Sequence, residues 1–425
     1  MRILFLSHYY PPEVNAPASR TSEHCREWGR AGHDVTVVTC APNHPRGTLY
    51  PGYANTRWHV ETIDGVCVIR LWTYLAANEG FARRTLNYAS YLAAVTAALP
   101  RLPKADIVIS TSPQFFCGLA GSIVRAAKRI PWVFEVRDLW PESIVTVGAM
   151  KTGRVIRALE ALERTAYRTA DAIVPVTNSF VPHIVARGGD PSKITVLPNG
   201  VDHSLFQPDL AGAARLRQNL ALDGKFIASY VGTHGLAHAL DTLLDAAAHL
   251  RDDPRIAFLL VGDGADHARL VAQRAARNLT NTIILGQRPK ADMPAIWTAT
   301  DAGLIVLRDD PLFRKVVPSK LFEAMAMSCP VILSVAGESR ALLETANAGI
   351  PIPPQDPTAL AAAIQTLASN PAGAAAMGAS GKAYVRANHD RTTLAARYLD
   401  ILTSTIARTA AQRTPLQSPP AVSSP

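Results

Sequence analysis

Apolar positions along this chain come in short continuous blocks, not in simple alternation. "RILFL" (2–6), "DVTVVT" (34–39), "VCVIRL" (66–71), "DIVIS" (106–110), "WVFEV" (132–136), "DAIVP" (171–175) and "ITVLP" (194–198) read as strands buried on both faces. Amphipathic stretches such as 17–31, 115–129 and 153–169 lie between many of them and read as helices. Strands alternating with helices predict a parallel sheet covered on both sides. The pattern then restarts. After the Pro/Asn/Gly-rich connection "LPNGVDHSLFQPD" (197–209) come "FIASYVG" (226–232), "IAFLLVG" (256–262), "TIILG" (282–286), "AGLIVL" (302–307), "PVILSV" (330–335) and "AGIPI" (348–352).

The expected fold class is therefore α/β, with two doubly wound, Rossmann-like parallel-sheet domains, residues 1–200 and 201–390, facing a cleft. Helices at 357–369, 371–386 and about 390–410 follow the last strand, and the segment 391–410 is a candidate to return to the first domain. The Pro/Ser-rich tail 411–425 reads as disordered. Ligands of doubly wound sheets bind beyond the carboxyl ends of the strands, which makes the interdomain cleft the natural site.

The loops at those strand ends carry the candidate chemistry. The first, "SHYYPPEVNAPASR" (7–20), has no glycine, so a GxGxxG dinucleotide fingerprint is absent and a nicotinamide-dependent dehydrogenase is disfavoured. It reads either as a substrate-facing wall or as a plain surface loop. "VGTHGLAH" (231–238) and "VGDGADH" (261–267) place glycines where a strand turns into a helix. Such turns allow close backbone approach and expose N–H groups to an anion such as a diphosphate, although a purely structural tight turn uses the same residues.

"VVPSKLFEAMAMSCPVI" (316–332) sets Lys320 and Glu323 one turn apart on an otherwise apolar helix, with Ser319 as a candidate N-cap. A lysine in the first turn opposes the helix dipole. It makes sense where a phosphate arrives, with the carboxylate one turn deeper accepting ribose hydroxyls. The competing account is a solvated i,i+3 ion pair, contributing only ~0.2–0.5 kcal/mol. "FEVRDLWPES" (134–143) brings Arg137, Asp138, Trp140 and Glu142 to a strand end, as a substrate wall or as an Arg137–Asp138 structural pair.

Length and composition narrow the class. At 425 residues the chain exceeds one ordinary core, and 48% hydrophobic with 18% charged residues suits a well-packed protein. No apolar run reaches the ~18 residues of a membrane span, and "MRILFLSHYY" has no cleavage site of a signal peptide, so a cytoplasmic protein is expected. Cys25, Cys40, Cys67, Cys117 and Cys329 show no metal-ligand or disulfide spacing and read as buried thiols. Of the net +9, residues 1–200 carry +7, from 22 basic against 15 acidic side chains. A basic first half implies an anionic partner: nucleic acid, a phosphorylated ligand or a membrane surface.

Taken in order, "HYYPPEVNAPASR", "FEVRDLWPES", "VLPNGVD", "YVGTHGLAHALDTLLDAA", "VGDGADHARL" and "VPSKLFEAMAMSCPVILSVAGESR" resemble the family-4 retaining glycosyltransferases of the GT-B fold, most closely a subgroup similar to bacterial L-fucosamine transferases of surface-polysaccharide assembly. The resemblance spans residues 1 to about 405. It implies a nucleotide-diphosphate sugar, UDP-linked by expectation, as substrate, no further cofactor and no obligatory metal. It places the donor on Thr233, His238, Gly262, Gly264, Arg288, Ser319, Lys320 and Glu323. Arg137, Asp138 and Lys315 are its candidate catalytic residues, and Tyr9, Asn15, Arg20, Trp140 and Glu142 its acceptor-binding ones. The implied acceptor is a polyprenyl-diphosphate-linked sugar or an oligosaccharide.

The chain departs from the family pattern. An E-x7-E motif would need an acid where Lys315 stands, and two donor-binding cations align with Thr233 and His238. Arg314, Lys315 and Lys320 are candidates to supply that charge, and Arg137 replaces a common histidine. The basic-flanked segment 81–104 reads as a peripheral contact with the inner face of the plasma membrane or as an internal helix. Two other readings compete: a UDP-sugar 2-epimerase on the same architecture, and a basic nucleic-acid-binding protein. The second lacks an aromatic-basic binding motif, so no nucleic-acid partner is expected.

Overall fold

A computed structural model of the chain describes residues 1–77, 81–143 and 153–413. Seven strands form the first sheet: β1 (Arg2–Leu6), β2 (Asp34–Cys40), β3 (Trp58–Ile63), β4 (Val66–Leu71), β5 (Ile107–Thr111), β6 (Trp132–Val136) and β7 (Ala172–Pro175), in the order β3-β4-β2-β1-β5-β6-β7. All neighbours are parallel except β3 and β4. That hairpin escapes the block pattern because β3 is largely solvated, and it closes on Asp64 and Gly65, both at positive φ (50° and 80°) as a tight two-residue turn requires.

The segment "ITVLP" is not a strand. Ile194 makes one isolated bridge to Ile173, the Thr195 and Leu197 N–H groups donate to the Ile173 (3.0 Å) and Pro175 (2.9 Å) carbonyls, and the Arg20 guanidinium takes the carbonyls of Leu197 (3.1 Å) and Pro198 (2.8 Å).

The second sheet comprises β8 (Phe226–Val231), β9 (Ile256–Val261), β10 (Thr282–Leu285), β11 (Ala302–Val306), β12 (Val331–Ser334) and β13 (Gly349–Pro351), ordered β10-β9-β8-β11-β12-β13 and parallel throughout. Each sheet has apolar cores on both faces, which is why its strands read as unbroken apolar runs. The order reverses between β1 and β5 in one sheet and between β8 and β11 in the other. These are the points where loops part and leave a crevice.

The final helix, Arg391–Arg413, lies against the helix Ala16–Arg30 of the first unit. Trp28 donates its indole N–H to the Ala395 carbonyl at 2.9 Å, and its ring meets Tyr398 edge-on. Residues 411–413 thus belong to this helix, while the rest of the expected tail lies outside the described residues. The two crossings between the units run side by side, because Val201 N–H donates to His389 O and Arg391 N–H to Val201 O, both at 3.0 Å. Gly200 is needed here: a Cβ on it would lie 2.2 Å from His389 O. Among the described residues no helix is long and apolar enough to cross a membrane.

Candidate active site

The donor candidates converge at the carboxyl ends of β8, β9 and β11. Gly262 and Gly264 have φ of +154° and +155°, and a Cβ on them would fall 1.8 Å from Gly232 O and 2.5 Å from His234 O. The two loops therefore touch backbone to backbone, which only glycine permits. Above them the helix Ser319–Ala326 begins. Its N-cap is Pro318, with no side-chain cap, so Ser319 is the first helical residue and corrects the expectation that it caps. The first N–H groups of this helix are left without a side-chain acceptor.

Lys320 reaches over the Tyr230 ring, its Nζ 3.7 Å from the centroid, and has no hydrogen-bond partner. Burial lowers it to about 7, against the opposing charge of Glu323. Glu323 itself is raised by burial, with Lys290 acting the other way and Glu23 reinforcing the rise. Trp297 favours its charged form, although the buried indole N–H completes no hydrogen bond. Around the glycines stand three histidines that spacing alone did not assemble. His234 is fully buried, stacked on His267 with Nδ1 to Nδ1 at 2.9 Å, and held to about 4 mainly by burial. His238 lies beside Tyr230 and is held well below its usual range, again first by burial. Thr233 and Arg288 are exposed, and the Thr233 carbonyl accepts from Tyr230 at 2.7 Å.

On the facing side, Ser112 Oγ accepts from the backbone N–H of Arg137 (2.7 Å) and Asp138 (3.2 Å), fixing the loop after β6. The two side chains do not serve each other. Arg137 enters a buried charge cluster with Glu135, Arg20, Arg391 and Glu23, leaves Nε and Nη1 unpartnered, and is lowered by burial to about 9. Asp138 is raised by burial, which the Ser143 hydroxyl and the Leu139 N–H oppose.

Several expected contacts are spent on the fold itself. Arg20 is 1% exposed, with Nε 3.0 Å from Glu135 Oε2 and its other nitrogens on Leu197, Pro198 and Asn199. It braces the interdomain connection and does not face an acceptor. Trp140 is stacked on Phe115 at 4.6 Å with Ile156 and Leu159, which makes it core, not wall. Glu142 and Lys315 meet across the cleft at 3.4 Å, so a candidate catalytic residue and a candidate acceptor-binding residue answer each other. Glu142 Oε2 also lies 3.0 Å from His183 Nδ1, a contact that holds it to about 2. Asn15 caps the helix Ala16–Arg30, accepting from Ala18 N–H at 2.9 Å. Tyr9 remains at a small cavity with His8, His44, Arg84, Asn87 and Tyr88.

Long-range pairs complete the site. Glu23 is held by Lys290 of the second unit and by Arg391 at 2.6 Å, which together keep it below the usual carboxylate range despite its burial. Glu338 accepts from the Asn178 and Ser179 N–H groups at 3.0 and 2.8 Å. Among the described residues no group of three or more His, Cys, Asp or Glu side chains could hold a metal ion.

Comparison with known proteins bears on the family and the fold. Residues 15–200 match the family described as "Glycosyl transferase 4-like domain" and residues 225–370 the one described as "Glycosyl transferases group 1". The chain is 26% identical to WcaI of Escherichia coli (strain K12), a glycosyl transferase assigned to colanic acid biosynthesis, over 79% of this chain and 83% of that one. Sucrose-phosphate synthase from Thermosynechococcus elongatus superposes with a TM-score of 0.76 at 20% identity, covering 96% of this chain and 99% of its own. Anabaena HepE, solved in complex with UDP and glucose, gives 0.72 at 19%, covering 95% and 100%. These two likenesses concern the fold.

Proposed function

Because the chain is a glycosyltransferase of the GT-B fold, built from a glycosyl transferase 4-like and a glycosyl transferases group 1 domain, we propose that it moves a sugar from a nucleotide-diphosphate donor on the second domain to an acceptor presented by the first. The observation that carries this reading is the pairing of Lys320 and Glu323. A lysine with no partner stands at an uncapped helix start over glycine turns, and a carboxylate raised by burial follows it by one turn.

The roles follow from chemistry. Lys320 and the helix N–H groups meet the diphosphate, and Glu323 accepts the ribose hydroxyls. The bond from the anomeric carbon to the diphosphate breaks while one to an acceptor hydroxyl forms, and the acceptor proton passes to the departing phosphate oxygen. Donors placed where that charge develops contribute several kcal/mol, of order 3 kcal/mol for one hydrogen bond. Asp138 and Arg137, on the facing loop, border the reacting sugar. We take the reaction to retain anomeric configuration, the donor to be UDP-linked and to carry a sugar that includes the N-acetylamino class, and the acceptor to be a lipid-linked or free oligosaccharide of surface-polysaccharide assembly. The WcaI relative, assigned to colanic acid biosynthesis, supports the polysaccharide part of that choice.

Saturation-transfer NMR with a panel of nucleotide sugars tests the reading. A UDP-sugar is expected to saturate, and Glu323→Ala to weaken it about 10- to 100-fold, the worth of a charged hydrogen bond at ~1.5–3 kcal/mol. Unchanged affinity in that variant removes Glu323 from the site.

A further inference from the structure

Lys320 Nζ, His234 Nε2 and His238 Nδ1 are all buried and all without a hydrogen-bond partner. Leaving a buried polar group unanswered is costly, so three gathered in one place call for a ligand. They surround a single ring: Lys320 Nζ lies 3.7 Å from the Tyr230 centroid, and the rings of His234 and His238 are each 6.0 Å from it. The same groups border the glycine turns. A Cβ on Gly232 would sit 2.8 Å from Lys320 Nζ, and one on Gly262 3.2 Å from His234 Cδ2.

Resting on the donor site proposed above, we infer that this pocket holds the diphosphate with a proton-loading set, Lys320 together with His234 and His238, in place of permanently charged side chains, so that donor binding takes up protons.

The surroundings leave this role to those three. From the loop after β9, Asp263 is engaged by Arg46 at 3.0 Å and by the Gly264 N–H at 2.8 Å, and Asp266 by Arg269 at 2.6 Å. His267, at the start of the next helix, is stacked on His234. Glu323 lies one turn beyond Lys320, and the Val306 backbone lies beside His238. Arg46, from the first unit, is thus already committed to a carboxylate. Burial holds Lys320 to about 7, His234 to about 4 and His238 well below its usual range, so above neutral pH the set is largely uncharged. A dianion drawn among them raises all three, and each proton taken up changes affinity by up to about tenfold per pH unit.

Calorimetric titration of the full chain with UDP, GDP and ADP between about pH 7 and 9, in buffers of different ionisation enthalpy, tests this. The terminal phosphate of the ligand ionises near ~6 and is constant over that range. The expected result is a Kd that weakens by about 3- to 10-fold per pH unit, with close to one proton absorbed. Lys320→Met is expected to bind at low pH as weakly as wild type at high pH, with a flattened profile, and Lys320→Arg to flatten it while keeping the affinity. His238→Asn, expected to reduce proton uptake, serves if Lys320→Met does not fold. Binding by the wild type that is independent of pH, with no proton absorbed, overturns the inference and leaves the donor site standing. Failure of all three nucleotides to bind at any pH overturns both.

Discussion

His183 offers a test of how the site loop is held. It stands between two carboxylates, with Nδ1 3.0 Å from Glu142 and Nε2 2.9 Å from Glu163. Burial alone would lower it, yet the two hydrogen bonds raise it from 6.5 to about 9. A group raised on folding contributes its full stabilisation below its unfolded pKa, and the contribution is lost as pH climbs through the folded value. The window is therefore pH 6.5 to about 9. The size of the rise corresponds to about 3 kcal/mol as an order of magnitude. The depression of Glu142 to about 2 reports the same contact and adds nothing further.

Thermal unfolding of wild type and His183→Gln across this window is the assay. At ~2–4 °C per kcal/mol for a domain of this size, the wild type should exceed the variant by roughly 6–12 °C near pH 6, and the difference should shrink towards zero near pH 9.5. A difference that stays constant with pH would show that folding does not raise the His183 pKa, and the account of His183 held charged between Glu142 and Glu163 would fail.

Three further outcomes are expected. Gly262→Ala should abolish donor binding and lower the unfolding temperature, because its Cβ would meet the Gly232 carbonyl oxygen and carbon rather than a flexible side chain; a normal titration with UDP would contradict the backbone contact. Arg20→Leu strands the fully buried Glu135 and should cost about 3–5 kcal/mol in denaturant unfolding, while the double variant with Glu135→Leu recovers most of it. For membrane contact, Arg84 is the wrong probe, since it turns back to Tyr88 at the cavity; the exposed Arg83, Arg101 and Lys104 are the right one. Their joint change to Glu should reduce flotation with anionic liposomes, and undiminished flotation would end the peripheral-docking proposal.

The two parallel sheets were legible because burial on both faces forces unbroken apolar runs, and "RILFL" or "IAFLLV" admit few other readings. β3 was missed for the opposite reason: with one face in water it carries no such run, although the Asp64–Gly65 pair between it and β4 is a hairpin signal in plain view. Lys320 and Glu323 stand out in the sequence because a charge on an apolar helix is conspicuous. What spacing could not supply was direction. Arg20, Trp140 and Glu142 sit where a substrate wall belongs, but partners 115, 25 and 173 positions away along the chain claim them: Glu135, Phe115 and Lys315. Likewise the apolar continuity of 81–104 reflects an inner face, Tyr88, Tyr91, Val95 and Ala98, turned to the first domain's core. His234 and His267 lie 33 residues apart, and only the meeting of two glycine turns brings their rings together.

The chain passes between its two lobes twice, and both passes are stitched to each other at Val201, His389 and Arg391. The contact is a single parallel bridge, Val201 to Asp390, so the two crossings meet at one point of the seam. Any displacement of the second lobe against the first has to pass through that seam, where a side chain on Gly200 would already collide with the His389 carbonyl.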